Sequence, residues 1–234
     1  MDITGAVALV TGANRGLGRR FAAALLERGA AKVYAGARNP ESIDLPGVVP
    51  LRLDVTDPAS IREAVAAAGD VTLLVNNAGS STGASLLGGS LEDIRLEMDT
   101  HYFGTLAVTR EFAPVLERNG GGAVLNVLSV LSWFTAPQVA AYSAAKSAAW
   151  SLTNALRLEL ARQKTQVTAL HVGYMDTDMA KGVDGPKSDP AVVAGLALDG
   201  VAEGRFEVLA DDLSRNVRAG LAADLPALYP SLVS

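Results

Sequence analysis

Tyr142 and Lys146 stand four positions apart in the stretch Tyr142-Ser143-Ala144-Ala145-Lys146, so on a helix both side chains leave from one face. A phenol alone titrates near 10, and an ammonium beside it favours the phenolate. A lowering of ~2–3 units, for ~3–4 kcal/mol of interaction, would make Tyr142 an acid and base useful near neutral pH. In isolation such a pair is an ordinary feature of a helix surface; what surrounds it decides. Ser129, thirteen positions before Tyr142, is near enough in a strand-to-helix unit for its hydroxyl to meet the same substrate oxygen. His101 adds an imidazole whose ordinary pKa, near 6.5, allows proton exchange around neutrality.

A second cluster, Thr11-Gly12-Ala13-Asn14-Arg15-Gly16-Leu17-Gly18, joins an apolar run at 6–11 to a helical pattern at 16–28. A strand, a glycine turn and a helix N-terminus together present free backbone N–H groups and a positive dipole end, where a pyrophosphate can sit. The spacing is Gly-x-x-x-Gly-x-Gly, which differs from the commoner Gly-x-Gly-x-x-Gly. Its place at the first strand–helix junction therefore carries the dinucleotide reading. Arg15 lies inside the loop, and Arg38 follows the second strand, where a dinucleotide fold meets the adenosine ribose. No acid stands there before Glu41 to bind two ribose hydroxyls, and a guanidinium suits a 2′-phosphate, so NADP(H) is the expected cofactor. Asp54-Val55, after the third strand, are candidates for the adenine edge. Asn77, Ala78 and Gly79, in the polar turn after the fourth, border the same crevice.

The elements that must position these residues alternate. Short apolar runs at 6–11, 32–36, 49–53, 71–76, 123–128, 166–172 and 206–210 read as strands covered on both faces. Between them, helical periodicity spans 16–28, 58–68, 91–117 with a break near Thr100, 141–163, 190–202 and 212–222. Asp57-Pro58 and Asp189-Pro190 each put a capping acid before a proline at the first helical position, and Ser90 with Asp93 resembles a capping box. Without repeat or linker, the pattern predicts one doubly wound α/β domain over 1–234.

Composition narrows the partners. Hydrophobic residues make up 49% and charged residues 19%, enough to bury a core throughout. With 25 acids against 20 bases, the net charge of −5 argues against a protein that works by neutralising nucleic-acid phosphates. The absence of cysteine excludes disulfides and thiolate metal sites, and with two histidines no metal is expected. No apolar run approaches a bilayer span, and Met1-Asp2-Ile3-Thr4-Gly5 lacks the regions of a secretion signal, so the expectation is a cytoplasmic protein.

Taken together, the chain resembles the classical short-chain dehydrogenase/reductase family over nearly its whole length. Thr11 to Gly18 are similar to the family's cofactor loop, Asn76 to Gly79 to its Asn-Asn-Ala-Gly turn, and Ser129, Tyr142 and Lys146 to its catalytic serine, tyrosine and lysine. The resemblance implies a seven-stranded parallel sheet between helices. It implies that Tyr142 exchanges a proton with the substrate oxygen, that Ser129 orients that oxygen, and that Lys146 holds the nicotinamide ribose and depresses the tyrosine pKa. Gly173 falls in the family's turn after the sixth strand, where Val172 replaces a usual proline, and Thr177 matches the threonine expected to reach the nicotinamide amide. His101 takes the place of a helix asparagine whose main-chain carbonyl helps hold a relay water. Its own carbonyl can keep that contact, and two readings stand for the imidazole: it tunes the pH dependence, or it only packs and hydrogen-bonds at the helix break.

The expected activity is NADPH-dependent reduction of a small or medium-sized ketone or aldehyde, or the reverse oxidation of an alcohol. The alternative is a regulator on the same fold that senses NADP without turnover. Leu131, Trp133, Phe134, Gln138, Tyr174, Met175 and the segment 180–188 are expected pocket walls, with core packing as the rival reading for Trp133 and Phe134. By resemblance, a homodimer or homotetramer forms through the helices at 100–117 and 141–163.

Overall fold

In the computed structural model, which describes residues 1–229, seven parallel strands form one sheet in the order β3-β2-β1-β4-β5-β6-β7. They are β1 (Val7–Thr11), β2 (Lys32–Ala37), β3 (Val49–Arg52), β4 (Leu73–Asn76), β5 (Gly122–Val127), β6 (Thr165–His171) and β7 (Glu207–Leu209). The helices are α1 (Gly16–Glu27), α2 (Pro58–Ala67), α3 (Leu91–Met98), α4 (Thr105–Arg118), α5 (Ala140–Leu160), α6 (Pro190–Ala202), α7 (Asp212–Gly220) and the short α8 (Leu225–Leu228). All seven expected strands form, shifted by one or two residues at their ends. The expected domain limit at 234 includes 230–234, which lie outside the described residues.

The strands are apolar on both faces because both faces are covered. Ala8, Val10, Leu73, Val75, Leu125 and Leu170 pack with Phe21 and Leu25 of α1 and Val193 and Leu198 of α6. The alternate residues Leu9, Leu74, Val124 and Val167 pack on the other side with Ile61, Phe112, Leu116 and Leu156. Strand order reverses between β1 and β4, which pair in parallel through Ala8–Leu73 and Val10–Val75. A crevice opens beyond the carboxyl ends of strands at such a point, and loops from both sides reach it.

Helix starts follow the local chemistry. The carboxylates of Asp57 and Asp189 accept the N–H groups of Ala59 and Ala191 at 2.9 and 2.7 Å, and Ser90 accepts that of Asp93 at 3.0 Å. The break expected near Thr100 is a π-helical segment, Asp99–Gly104, that joins α3 to α4 without an intervening loop. A Cβ on Gly104 would come within 2.9 Å of Val55 Cγ2, so only glycine lets the widened turn sit on the loop after β3. The expected helix at 141–163 ends its regular part at Leu160 and closes in a 3-10 turn, Ala161–Gln163. Lys164 then takes a left-handed conformation that starts β6.

Candidate functional site

The glycine loop leaves β1 with Gly12 at φ +66° and Gly16 at φ +53°. Gly18 is required for a different reason: a Cβ there would stand 2.1 Å from the Gly12 carbonyl oxygen and 2.5 Å from Asn77 Nδ2. The turn after β4 is tied to this loop. Thr11 Oγ1 accepts the N–H groups of Asn77 and Ala78 at 2.9 Å each, while Asn77 Nδ2 donates to the carbonyls of Thr11 and Gly12 at 2.9 and 3.3 Å. The Asn77 side chain is thereby engaged inside the protein. Arg15, the N-cap of α1, makes no side-chain cap bond, and the first turn carries no acid. The N–H groups there have no carboxylate of the chain to satisfy them, which suits an anion.

Two arginines flank that position. Arg15 is exposed, with Nη1 3.8 Å from Asp178 Oδ2, and Arg38 is exposed with no ion pair among the described residues. Asp54 Oδ1 accepts the N–H and O–H of Thr56 at 2.9 and 2.7 Å, and Val55 beside it is buried.

Ser129, Tyr142, Lys146 and His101 come together past the ends of β4 and β5. Ser129 is buried as the N-cap of a 3-10 turn, Val130–Ser132, and its Oγ accepts from Leu131 N–H at 3.1 Å while lying 3.4 Å from the Val172 carbonyl oxygen. Tyr142 and Lys146 share a face of α5. Lys146 Nζ is 5.5 Å from the phenol ring centroid and donates to the Val127 carbonyl at 2.8 Å. His101, on the π-helical segment, meets the Tyr142 ring edge-on with centroids 5.0 Å apart. Gly79 makes room for it, since a Cβ there would lie 2.8 Å from His101 Cε1.

The electrostatics correct one expectation. The Tyr142 pKa lies above its ordinary value, because burial penalises the phenolate and the Glu97 carboxylate and Tyr174 add to the effect. The Ser129 hydroxyl opposes it, and the lysine four residues on does not offset it. Burial likewise lowers Lys146 to about 8, against the attraction of Glu97. Spacing put the ammonium on the right face, but desolvation outweighs it.

The short chain dehydrogenase family model matches residues 6–187. The chain belongs to the short-chain dehydrogenase family. It is similar to a Drosophila melanogaster dehydrogenase/reductase SDR family protein 7-like, 30% identical over 99% of this chain and 79% of that protein. It is also similar to carbonyl reductase (NADPH) 2 of Sus scrofa, 32% identical over 84% of this chain and 81% of that one. Among solved structures, a Burkholderia cenocepacia short chain dehydrogenase in complex with NADP superimposes with a TM-score of 0.95, at 41% identity and full coverage of both chains.

In this short-chain dehydrogenase the turn after β6 is held by a carboxylate. Gly173 N–H donates to Asp211 Oδ2 at 2.6 Å, and Asp211 Oδ1 also caps α7 through Ser214 N–H at 2.7 Å. Asp211 thus restrains a turn in which Val172 stands where the resemblance has a proline. Thr177 lies opposite the glycine loop, its Cγ2 3.6 Å from where a Gly16 Cβ would stand. The segment 180–188 is closed at its base by Ser188, whose N–H donates to the Tyr174 carbonyl at 2.8 Å and whose carbonyl accepts from Asp176 at 3.0 Å.

The expected pocket walls divide. A cavity of about 450 Å³ lies at the start of α5, lined by Thr82, Gly83, Ala84, Ser85, Gly88, Gly89, Asp93, Pro137 and Gln138, so only Gln138 of the expected set borders it. Trp133 stacks instead on His171, 3.8 Å between centroids, with Trp150 edge-on, which is the packing alternative. Sequence reasoning missed Glu97, wholly buried on α3 and 3.2 Å from His101. Its four-residue spacing from His101 was the available signal. No helix among the described residues is long and apolar enough to cross a membrane, and no cluster among them suits a metal ion.

Proposed function

We propose that this protein is an NADP(H)-dependent oxidoreductase that reduces the carbonyl of a ketone or aldehyde to an alcohol, or runs the reverse reaction, with Tyr142 as acid and base. The observation that carries the reading is the meeting of the Tyr142 phenol with the Ser129 hydroxyl and Lys146, in a chain whose glycine loop opens on an α1 N-terminus with no acid in its first turn. The chain fits a dinucleotide. Gly12, Asn14, Arg15, Gly16, Leu17 and Gly18 would hold its diphosphate, Arg38 its 2′-phosphate, and Asp54 and Val55 its adenine. Ala78, Gly79, Gly173 and Thr177 would line its nicotinamide half, with Asn77 acting through the glycine loop. When bound, the nicotinamide supplies or accepts the hydride.

The protein's own part is protonic. Burial keeps the Tyr142 phenol protonated, which is the form that donates to a carbonyl oxygen. Ser129, in contact with that phenol and fixed by the Leu131 N–H, orients the same oxygen. Lys146 stands close enough to balance the phenolate left behind. The NADP of the Burkholderia structure and the name of the pig reductase favour both cofactor and reaction class.

NADPH consumption across a panel of ketones and aldehydes tests the reading; binding without turnover of any of them, or of alcohols with NADP⁺, would favour the sensing alternative. NADPH should bind at least ~10-fold more tightly than NADH, since one charged contact can supply the ~1.4 kcal/mol required. Equal affinities in a fluorescence titration would remove the NADP assignment, and Arg38→Asp should reverse the preference.

We also propose self-association through the outer faces of α4 and α5, where a shallow groove bordered by Arg110, Pro114, Glu117 and Glu159 runs over the buried Leu156 and Leu160. Sedimentation at micromolar concentration should give a dimer or tetramer, and a species of 24.1 kDa alone would contradict this.

A further inference from the structure

Glu97 is a wholly buried carboxylate with three partners, none of them a surface cation. Its Oε2 accepts from Ser80 Oγ at 3.0 Å, its Oε1 from Thr82 N–H at 2.5 Å, and its Oε2 lies 3.2 Å from His101 Nε2. The same Nε2 stands 2.9 Å from the Ser80 carbonyl oxygen. Nδ1, at the other side of the ring, is buried and has no hydrogen-bond partner among the described residues.

These contacts determine where the ring proton sits. Burial disfavours the Glu97 carboxylate, yet the bonds from His101 and Thr82 hold its pKa at about 2, so it is charged at neutral pH and can only accept. Three groups face Nε2: the Ser80 carbonyl at 2.9 Å, the Glu97 carboxylate at 3.2 Å and, farthest, the Ser80 N–H at 3.3 Å; the two nearer ones only accept, so they favour a hydrogen on this nitrogen. Burial, and secondarily Lys146, push the imidazole pKa below its ordinary value, so near neutrality the ring is uncharged and Nδ1 bears a lone pair. The ionisable groups around the ring are Glu97 from α3 and Tyr142 and Lys146 from α5; the Gly79-Ser80 turn adds none.

We propose that Glu97 is a positioning residue that holds His101 as the Nε2–H tautomer and so makes Nδ1 the proton-accepting end of a relay to Tyr142. This rests on Tyr142 being the acid and base. A proton given to Nδ1 by a water molecule, which is left as hydroxide, turns the ring into an imidazolium whose charge Glu97 balances across Nε2. Passing that proton to the phenolate left on Tyr142 regenerates the phenol and the neutral ring. The relay is additional to any contact made by the His101 main-chain carbonyl, so loss of the imidazole alters the pH response without abolishing turnover.

The test starts with the protein alone. Its two histidines make ¹⁵N-histidine spectra assignable through His101→Asn, and the ring nitrogen shifts report the tautomer directly. Wild type should show the neutral His101 ring, from pH 7.5 to 9, with hydrogen on Nε2 and none on Nδ1; a neutral ring with its hydrogen on Nδ1 would overturn the proposal. Glu97→Gln keeps the shape and removes the charge, so the His101 titration midpoint should fall by at least half a pH unit. With NADPH and 4-nitrobenzaldehyde as probe, the acidic limb of the kcat profile should fall with it, because Nδ1 keeps its lone pair to lower pH, while NADPH affinity stays within twofold. An unmoved midpoint, or a moved midpoint with an unmoved limb, would overturn it. Wild-type turnover in Tyr142→Phe would instead remove the catalytic reading on which the relay depends.

Discussion

Tyr142→Phe is expected to turn over at least ~10²-fold more slowly than wild type, the lower range for loss of a general acid. The substitution removes one oxygen. The ring keeps its edge-on contact with His101 and its place 5.5 Å from the Lys146 ammonium, so the fold has no new space to fill. The burial that raises the phenol pKa acts on the oxygen alone, and removing it relieves the chain of a desolvated polar group. Stability should therefore hold or rise slightly while kcat collapses. NADPH affinity, measured by fluorescence, should change less than twofold. A variant with full turnover would move the acid elsewhere.

Gly18→Ala is expected to weaken NADPH binding by about 10²-fold and to destabilise the protein by ~1–3 kcal/mol, the usual cost of forcing a methyl group into a packed site. The new Cβ would stand 2.1 Å from the Gly12 carbonyl oxygen, and a backbone atom cannot turn aside as a side-chain tip can. Either α1 withdraws from β1 or the glycine turn opens, and both displace the N–H groups that face the anion. Gly182→Ala is the control, since nothing lies within 4 Å of its Cβ position. Thermal unfolding and NADPH titration of both variants separate the steric effect from the general one; equal behaviour would show that the close approach is dispensable.

The readable parts of this molecule were those whose signals are local. Strand and helix order followed from apolar period, Asp57 and Asp189 announced their helices, and Tyr142 with Lys146 declared a shared face because four residues make about one helical turn. Contacts made at long range were not readable. Glu97 reaches back to Ser80 and Thr82 through a turn that periodicity does not describe, and Asp211 reaches Gly173 from 38 positions away. The direction of the tyrosine shift is not legible in the spacing for a related reason. Spacing reports which charges are neighbours, but the dielectric around them depends on what the whole fold lays over the site. Trp133 shows the same limit, its stacking on His171 being set by a strand 38 positions further on.

Asp211 also imposes an order on assembly. The ribosome delivers the glycine loop, the turn at Asn77 and the Tyr142–Lys146 helix well before it delivers residue 211, and domains begin to organise as they emerge. Until then the Gly173 N–H lacks the carboxylate that holds its turn, and α7 lacks its cap, since one side chain serves both. A nascent chain halted before that residue would carry every residue proposed for proton transfer and still present an unfinished nicotinamide wall. Completion of the cleft thus waits on residue 211.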